Sequence, residues 1–358
     1  MTVVALGLPV AGAANKGNVP SRDPARPASS ALIDSHGRTA TDLRISLTDR
    51  CNLRCTYCMP AEGLDWMPDE DLLTREELGR LIRIAVTSLG VEELRFTGGE
   101  PLLRADLHQI VADAAALTPR PEISLTTNGL GLVRKAKGLK AAGLDRVNVS
   151  LDTVNREVFH KITRRDRLSD VLAGMRAADV AGLAPVKVNA VLMRGINDTH
   201  APELLEFCLE HGYELRIIEQ MPLDAQHGWQ REQMVTAEEI LASLRTRYTL
   251  TPDSAPRGAA PAERWRVDGG TATVGVIASV TRPFCGDCDR TRLTADGQIR
   301  NCLFATGETD LRSLLREGAD DDAIARRWQD AMWGKLPGHG INDANFLQPA
   351  RPMSAIGG

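Results

Sequence analysis

Between Leu43 and Met221 the chain alternates strand-like and helix-like segments six times, and this rhythm constrains its fold more than any other feature. Short apolar, β-branched runs at 44–48, 92–97, 122–126, 146–151, 186–192 and 214–219 read as strands. Segments of helical periodicity fill the gaps, among them 74–88, 106–117, 132–142 and 202–211. Thr74 followed by Glu77 forms a capping box, and Gly90 and Gly143 stand where helices should stop. Such repetition implies an α/β protein with a parallel sheet covered by helices. The polar and reactive residues fall just after the strands, at 97–101, 126–129, 150–152 and Met221. That carboxyl-end rim is where parallel α/β folds bind ligands, and its recurrence after nearly every strand favours a barrel-like sheet over an open one.

The rhythm changes beyond Leu250. A Pro/Ala/Gly-rich stretch at 251–262 leads into short strands at 273–280 and 290–294, then helices at 309–317 and 323–333. The expected organisation is therefore a partial barrel over 41–250 and a smaller α+β region over 251–358. The apolar stretch 3–14 lacks a positively charged leader and runs into polar, Pro-rich sequence, so 1–40 reads as a disordered extension rather than a secretory signal. A net charge of −4 argues against bulk binding to nucleic acid or an anionic membrane. No apolar run approaches the ~20 residues of a membrane span. An anionic ligand must be held by a few locally placed Arg and Lys.

Six of the seven cysteines fall in two clusters, a pattern that favours metal in an intracellular enzyme over a disulfide framework. Cys51, Cys55 and Cys58 form Cys-x-x-x-Cys-x-x-Cys in the loop after the first strand. Closely spaced thiolates let one loop wrap an iron–sulfur cube, and three ligands for four irons leave one iron open. Zinc, or three buried free thiols, are the alternatives on spacing alone. Cys285, Cys288 and Cys302 make a second triad, with a zinc knuckle recruiting Asp287 or Asp289 as its plainer reading. Cys208, on a helix, reads as a buried apolar thiol. Arg290 and Arg292 lie two apart on a strand, hence on one face, and begin two residues after a cluster ligand. Their planar forks suit phosphate oxygens.

With Tyr57 before the last cysteine and Thr-Gly-Gly-Glu-Pro at 97–101 after the second strand, the first triad resembles that of the radical S-adenosylmethionine superfamily. The resemblance implies an open iron chelated by the amine and carboxylate of S-adenosylmethionine, and a 5′-deoxyadenosyl radical. The second triad, the adjoining Arg290-Thr291-Arg292 and the Gly357-Gly358 end are similar, more specifically, to the GTP 3′,8-cyclase family, molybdenum cofactor biosynthesis protein A. This likeness runs from about residue 44 to residue 358. It implies an incomplete (βα)6 TIM-like barrel, two 4Fe–4S clusters, and GTP as a substrate that meets the second cluster.

Carried over position by position, the resemblance implies that Arg44, Arg95, Thr126, Lys187, Arg290 and Arg292 contact GTP, with Arg216 a further candidate. Tyr57, Gly99, Ser150 and Met221 would contact S-adenosylmethionine, and Gly357 and Gly358 would project into the active site. Asp289 stands where the family usually carries Asn, and Glu93 where some members carry a basic residue; both add negative charge near the phosphates. The implied partners are an electron donor such as flavodoxin or ferredoxin and the next pathway enzyme, cyclic pyranopterin monophosphate synthase. The implied setting is cytoplasmic, with a homodimer as an option. Two other readings remain: a peptide- or sulfatase-modifying radical enzyme with an auxiliary cluster, and a non-catalytic iron–sulfur or zinc module.

Overall fold

The computed structural model describes residues 23–357. Six strands carry the expected alternation: β1 (Asp42–Ser46), β2 (Glu93–Thr97), β3 (Glu122–Thr127), β4 (Arg146–Ser150), β5 (Lys187–Val191) and β6 (Glu214–Ile218). The helices α1 (Arg75–Thr87), α2 (Leu107–Ala115), α3 (Leu132–Ala141), α4 (Arg156–Thr163), α5 (Leu168–Val180) and α6 (Ala201–His211) run between them. The capping box at Thr74 and Glu77 is formed in both directions. Cys208 is fully buried in α6.

The remaining elements are α7 (Ala237–Leu244), β7 (Leu250–Pro252), β8 (Glu263–Val267), β9 (Thr273–Ile277), β10 (Arg290–Leu293), β11 (Gln298–Arg300), β12 (Thr309–Asp310), α8 (Arg312–Arg316), α9 (Asp321–Trp333) and α10 (Met353–Ile356). These strands do not form a layer of their own. They extend the same sheet, whose order is β12-β11-β10-β1-β2-β3-β4-β5-β6-β9-β8-β7. β9 lies parallel to β6, pairing Arg216 with Gly275, and β10 lies parallel to β1, pairing Arg44 with Arg292. An unpaired β1 or β6 edge would leave a row of backbone donors and acceptors unmet, and the C-terminal strands satisfy both. The Pro-rich stretch expected as a linker is the turn of the β7–β8 hairpin.

Along each strand the side chains alternate. Leu43, Ile45, Leu94 and Phe96 are buried in the core beneath the helices. Arg44 and Arg95, between them, face the lumen that the curved sheet encloses, and residues from β10 around to β9 line one cavity there. The lumen is an open cavity whose lining mixes charged side chains such as Arg44, Arg95 and Arg292 with apolar ones such as Phe159, Ile218 and Phe304, unlike the filled interior of a closed eight-stranded barrel.

The extension expected to be disordered through residue 40 is ordered over its described part, 23–40; residues 1–22 lie outside the described residues. Leu32 is fully buried in the main core, and Ile33 bridges Thr39. Arg38, paired with the buried Asp34, donates to the Cys285 carbonyl (2.6 Å) and to those of Leu336 and Pro337. Polar composition suggested disorder, but buried Leu32, the multiply bonded Arg38, the Arg26–Asp330 pair and the Gln329 bonds to the Ser29 and Ser30 carbonyls fix the strap. Leu32→Ala should therefore lower stability by about 2–4 kcal/mol in an anaerobic urea titration, the usual cost of emptying a core leucine site. An unchanged midpoint would return the strap to the disordered class.

Candidate functional site

The loop after β1 carries the first triad and is fastened from outside. Arg54 and Thr56 N–H groups bond to carbonyls at the end of α4, and the Arg164 guanidinium bonds the Arg54 and Met59 carbonyls (2.9 and 3.0 Å). Cys51, Cys55 and Cys58 are free thiols facing one cavity. Burial raises the pKa of all three, that of Cys58 to about 12, so these sulfurs become thiolates only with a metal to stabilise the charge. Among the described residues no three His, Cys, Asp or Glu converge tightly enough for one bare metal ion.

The end of β2 comes against this loop so closely that side chains are excluded. A Cβ on Gly98 would stand 2.4 Å from the Thr48 carbonyl oxygen, and one on Gly99 2.4 Å from those of Asp49 and Arg50. Gly98 also has φ +141°, a region closed to most residues. Glu100, fully buried, accepts from Leu102 N–H (2.9 Å), Thr127 Oγ1 (2.7 Å) and Asn128 N–H (2.7 Å). It thereby ties the β2 turn to the end of β3, and burial pushes its carboxyl up to about 7. Asn128 in turn reaches Asn52 (2.7 Å) and the Cys51 sulfur (3.9 Å). Tyr57 donates to Asp152 (3.0 Å), whose other oxygen accepts from the Val191 N–H.

Cys285 and Cys288 occupy a single turn before β10, and Cys302 follows β11. Here the electrostatics differ. Burial raises the Cys288 thiol, but Arg290 and Lys335 outweigh it and bring it down to about 7. Arg290 Nε lies 3.3 Å from the Cys288 sulfur, and its guanidinium also lies over the Phe284 ring.

Between the triads lie buried cations. Arg44 on β1 is paired in register with Arg95 on β2 and Arg292 on β10. Asp42 is 3.6 Å from Arg44 and 3.7 Å from Arg95, and is held low by these guanidiniums against the upward push of its own burial. Burial and then the neighbouring guanidinium bring Arg44 and Arg292 down to about 9. Arg44 Nε, Arg95 Nε, Asp42 Oδ1 and Asn189 Oδ1 are buried without a hydrogen-bond partner. A cavity of about 330 Å³ joins this group to both triads and also reaches Tyr57, Gly99, Thr126, Ser150, Arg216 and Met221.

Two expected site residues are not in its lining. Lys187 sits at the start of β5, 3.5 Å from Glu214, with burial lowering it to about 8. The Gly357 carbonyl accepts from Arg292, which does line the cavity, while Gly358 lies outside the described residues. The tail is ordered because Ile356 is buried in a second apolar cluster with Leu223, Val280, Phe304 and Ile341. The Ser354 N–H donates to the Cys58 sulfur. Of the added acidic residues, Glu93 lies 3.8 Å from Arg146, and Asp289 accepts two backbone bonds through its carbonyl. Asn128 and Asp152 lie in the rim segments that the sequence pointed to, whereas the sequence reading missed Asn189, Asn301 and His339 as lining residues. Period two from Lys187 would have pointed to Asn189.

The family model described as "Radical SAM superfamily" matches residues 45–208, and that described as "Molybdenum Cofactor Synthesis C" matches 213–341. The chain is 64% identical over 358 residues to a Mycobacterium sp. (strain KMS) protein named GTP 3',8-cyclase, covering all of both chains. A Streptomyces coelicolor protein of the same name is 68% identical over 338 residues, 94% of this chain and 99% of that one. Among solved structures, Streptococcus suis SuiB bound to S-adenosylmethionine superposes with a TM-score of 0.57 at 14% identity, over 86% of this chain and 67% of that one. That last likeness is one of fold.

The tail geometry makes a direct prediction. A Cβ at Gly357 would lie 2.7 Å from Thr97 Cγ2 and 3.1 Å from Ser46 Cβ, and Gly357 has φ +82°. Gly357→Ala should expel the last residues, seen as faster amide exchange at 353–357 with the melting temperature nearly unchanged. Wild-type protection in the variant would contradict the tight seat.

Proposed function

The chain belongs to the GTP 3′,8-cyclase family of radical S-adenosylmethionine enzymes and converts GTP to (8S)-3′,8-cyclo-7,8-dihydroguanosine 5′-triphosphate in molybdenum cofactor biosynthesis, and we propose that the lumen does so with one iron–sulfur cluster at each end of a single substrate. The observation that carries this reading is the single cavity that joins both cysteine triads through an under-neutralised arginine group. Cys51, Cys55 and Cys58 hold the first 4Fe–4S cluster; Cys285, Cys288 and Cys302 hold the second. The first cluster and the S-adenosylmethionine held there would supply the radical chemistry that takes the ribose 3′ hydrogen.

The protein's own part is binding, orientation and exclusion of water. Tyr57, Gly99, Ser150 and Met221 hold S-adenosylmethionine. Gly98 and Gly99 expose backbone where side chains cannot fit, and Glu100 fixes that backbone. Arg44, Arg95 and Arg292 receive the triphosphate, with Thr126 and Arg216 around them and Lys187 outside the lining; their shortage of counter-charge is what a polyanion relieves. Arg290, already shared with Cys288, joins the clamp to the second cluster. Gly357, whose carbonyl accepts from Arg292, stands beside the clamp. A flavodoxin- or ferredoxin-like donor and cyclic pyranopterin monophosphate synthase fit as upstream and downstream partners in the cytoplasm. Among the described residues no helix is long and apolar enough to cross a membrane.

Anaerobically reconstituted protein should carry about eight irons and eight sulfides. With GTP, S-adenosylmethionine and reductant it should yield the cyclised nucleotide by mass spectrometry. Cys55→Ala should abolish S-adenosylmethionine cleavage, whereas Cys302→Ala should keep some uncoupled cleavage and lose the product. Stoichiometric zinc with about four irons would sink the second cluster, as would full turnover by Cys302→Ala. Arg292→Ala should weaken GTP binding by roughly 1.5–3 kcal/mol, the range for charged hydrogen bonds, with S-adenosylmethionine binding little altered. Equal loss for both ligands would mean that the substitution disturbs the loop instead.

A further inference from the structure

Lys335 is a lysine only 3% exposed, two residues past the end of α9. Its ammonium donates to the Cys288 carbonyl (3.1 Å), the Arg290 carbonyl (2.9 Å) and the Cys288 sulfur (3.3 Å). Among the described residues it makes no ion pair with a carboxylate. A buried ammonium costs several kcal/mol unless a negative charge offsets it. Among its hydrogen-bond partners in the described residues, only the Cys288 sulfur can carry that charge.

The first triad has a cation nearby, Arg54, but its guanidinium donates to the Cys51 and Leu53 carbonyls (2.7 and 2.8 Å) and acts on the Cys51 sulfur only through space. Its sulfurs accept from neutral donors: the Leu53 N–H and Asn128 amide at Cys51, Tyr57 at Cys55, and the Ser354 N–H at Cys58. Cys288 instead receives two cationic donors, Arg290 and Lys335, each 3.3 Å away. The two are not equivalent. Arg290 lines the cavity, where an anionic substrate would offset its charge; Lys335 lies behind the ligand, outside the cavity lining.

Positive charge and hydrogen bonds at a ligand sulfur favour the more negative, reduced state of an iron–sulfur cluster. We infer that Lys335 is a positioning residue for the second cluster that fixes the Cys288–Arg290 backbone and raises that cluster's reduction potential whatever occupies the cavity. This rests on the second-cluster reading above.

The test uses full-length Cys51→Ala/Cys55→Ala/Cys58→Ala protein, in which the second cluster is the sole one expected. The parent should hold about four irons; absence of iron there would overturn the second-cluster reading before Lys335 is touched, and this inference with it. Potentiometric titration followed by electron paramagnetic resonance then compares Lys335→Gln, Lys335→Met and Lys335→Arg in that background. Both neutral variants should shift the midpoint to more negative values, and Lys335→Arg should restore most of the shift. In the reciprocal protein, with Cys285, Cys288 and Cys302 replaced by Ala, Lys335→Gln should leave the first cluster's midpoint where it was. A midpoint unmoved by both neutral substitutions overturns the inference. So does failure of both neutral variants to assemble the cluster, since Lys335 would then serve the fold alone.

Discussion

The arrangement depends on a set of guanidiniums held in a lumen with too little negative charge. Arg44, Arg95, Arg290 and Arg292 all act on the single carboxylate of Asp42, and polar atoms of three of these five residues have no partner. Buried like charges at this density repel each other and bear a desolvation cost that a neutral core would avoid. The chain meets that cost with parts that otherwise look unrelated. The Gly357 carbonyl takes one bond from Arg292, the Phe284 ring covers Arg290, and the Cys288 sulfur accepts from Arg290. What remains unmet suits a triphosphate. An acidic chain thus contains a strongly basic interior, and net charge reports only on the outside.

Sheet topology makes the rest of the site possible. Had the C-terminal region packed as a separate layer, the second triad would have no fixed relation to the first. As β10 pairs with β1, Arg292 stands directly beside Arg44, and the turn before β10 brings Cys285 and Cys288 to the same rim as the loop after β1. The strap at 23–40 and the end of α9 then hold that turn from behind, through Arg38 on the Cys285 carbonyl and Lys335 on those of Cys288 and Arg290. On the other side, two glycines and Glu100 bring the β2 turn against the first loop at distances no side chain could tolerate.

The barrel half was legible in the sequence because period-two and helical patterns are local, and each expected strand from β1 to β6 formed within about two residues of its place. The cysteine spacings were legible for the same reason. Pairing between distant segments was not: nothing local marks 290–293 as the neighbour of 42–46, or 250–252 and 263–267 as a hairpin around a Pro-rich turn. The strap failed for a different cause, since its composition is polar while its order comes from long-range contacts, among them buried Leu32, Arg38 on the Cys285 carbonyl and Arg26 on Asp330. Lys187 matched a motif position yet stands at the amino end of its strand, away from the cavity lining, whereas Asn189 on the same face reaches it.

The central claim is that one lumen seats GTP with its ribose towards the first triad and its base towards the second. Turnover with GTP deuterated at the ribose 3′ position tests it most directly. The account predicts one deuterium in the 5′-deoxyadenosine formed and none at that carbon in the cyclised nucleotide. Unlabelled 5′-deoxyadenosine, with the deuterium kept in the nucleotide, would contradict it.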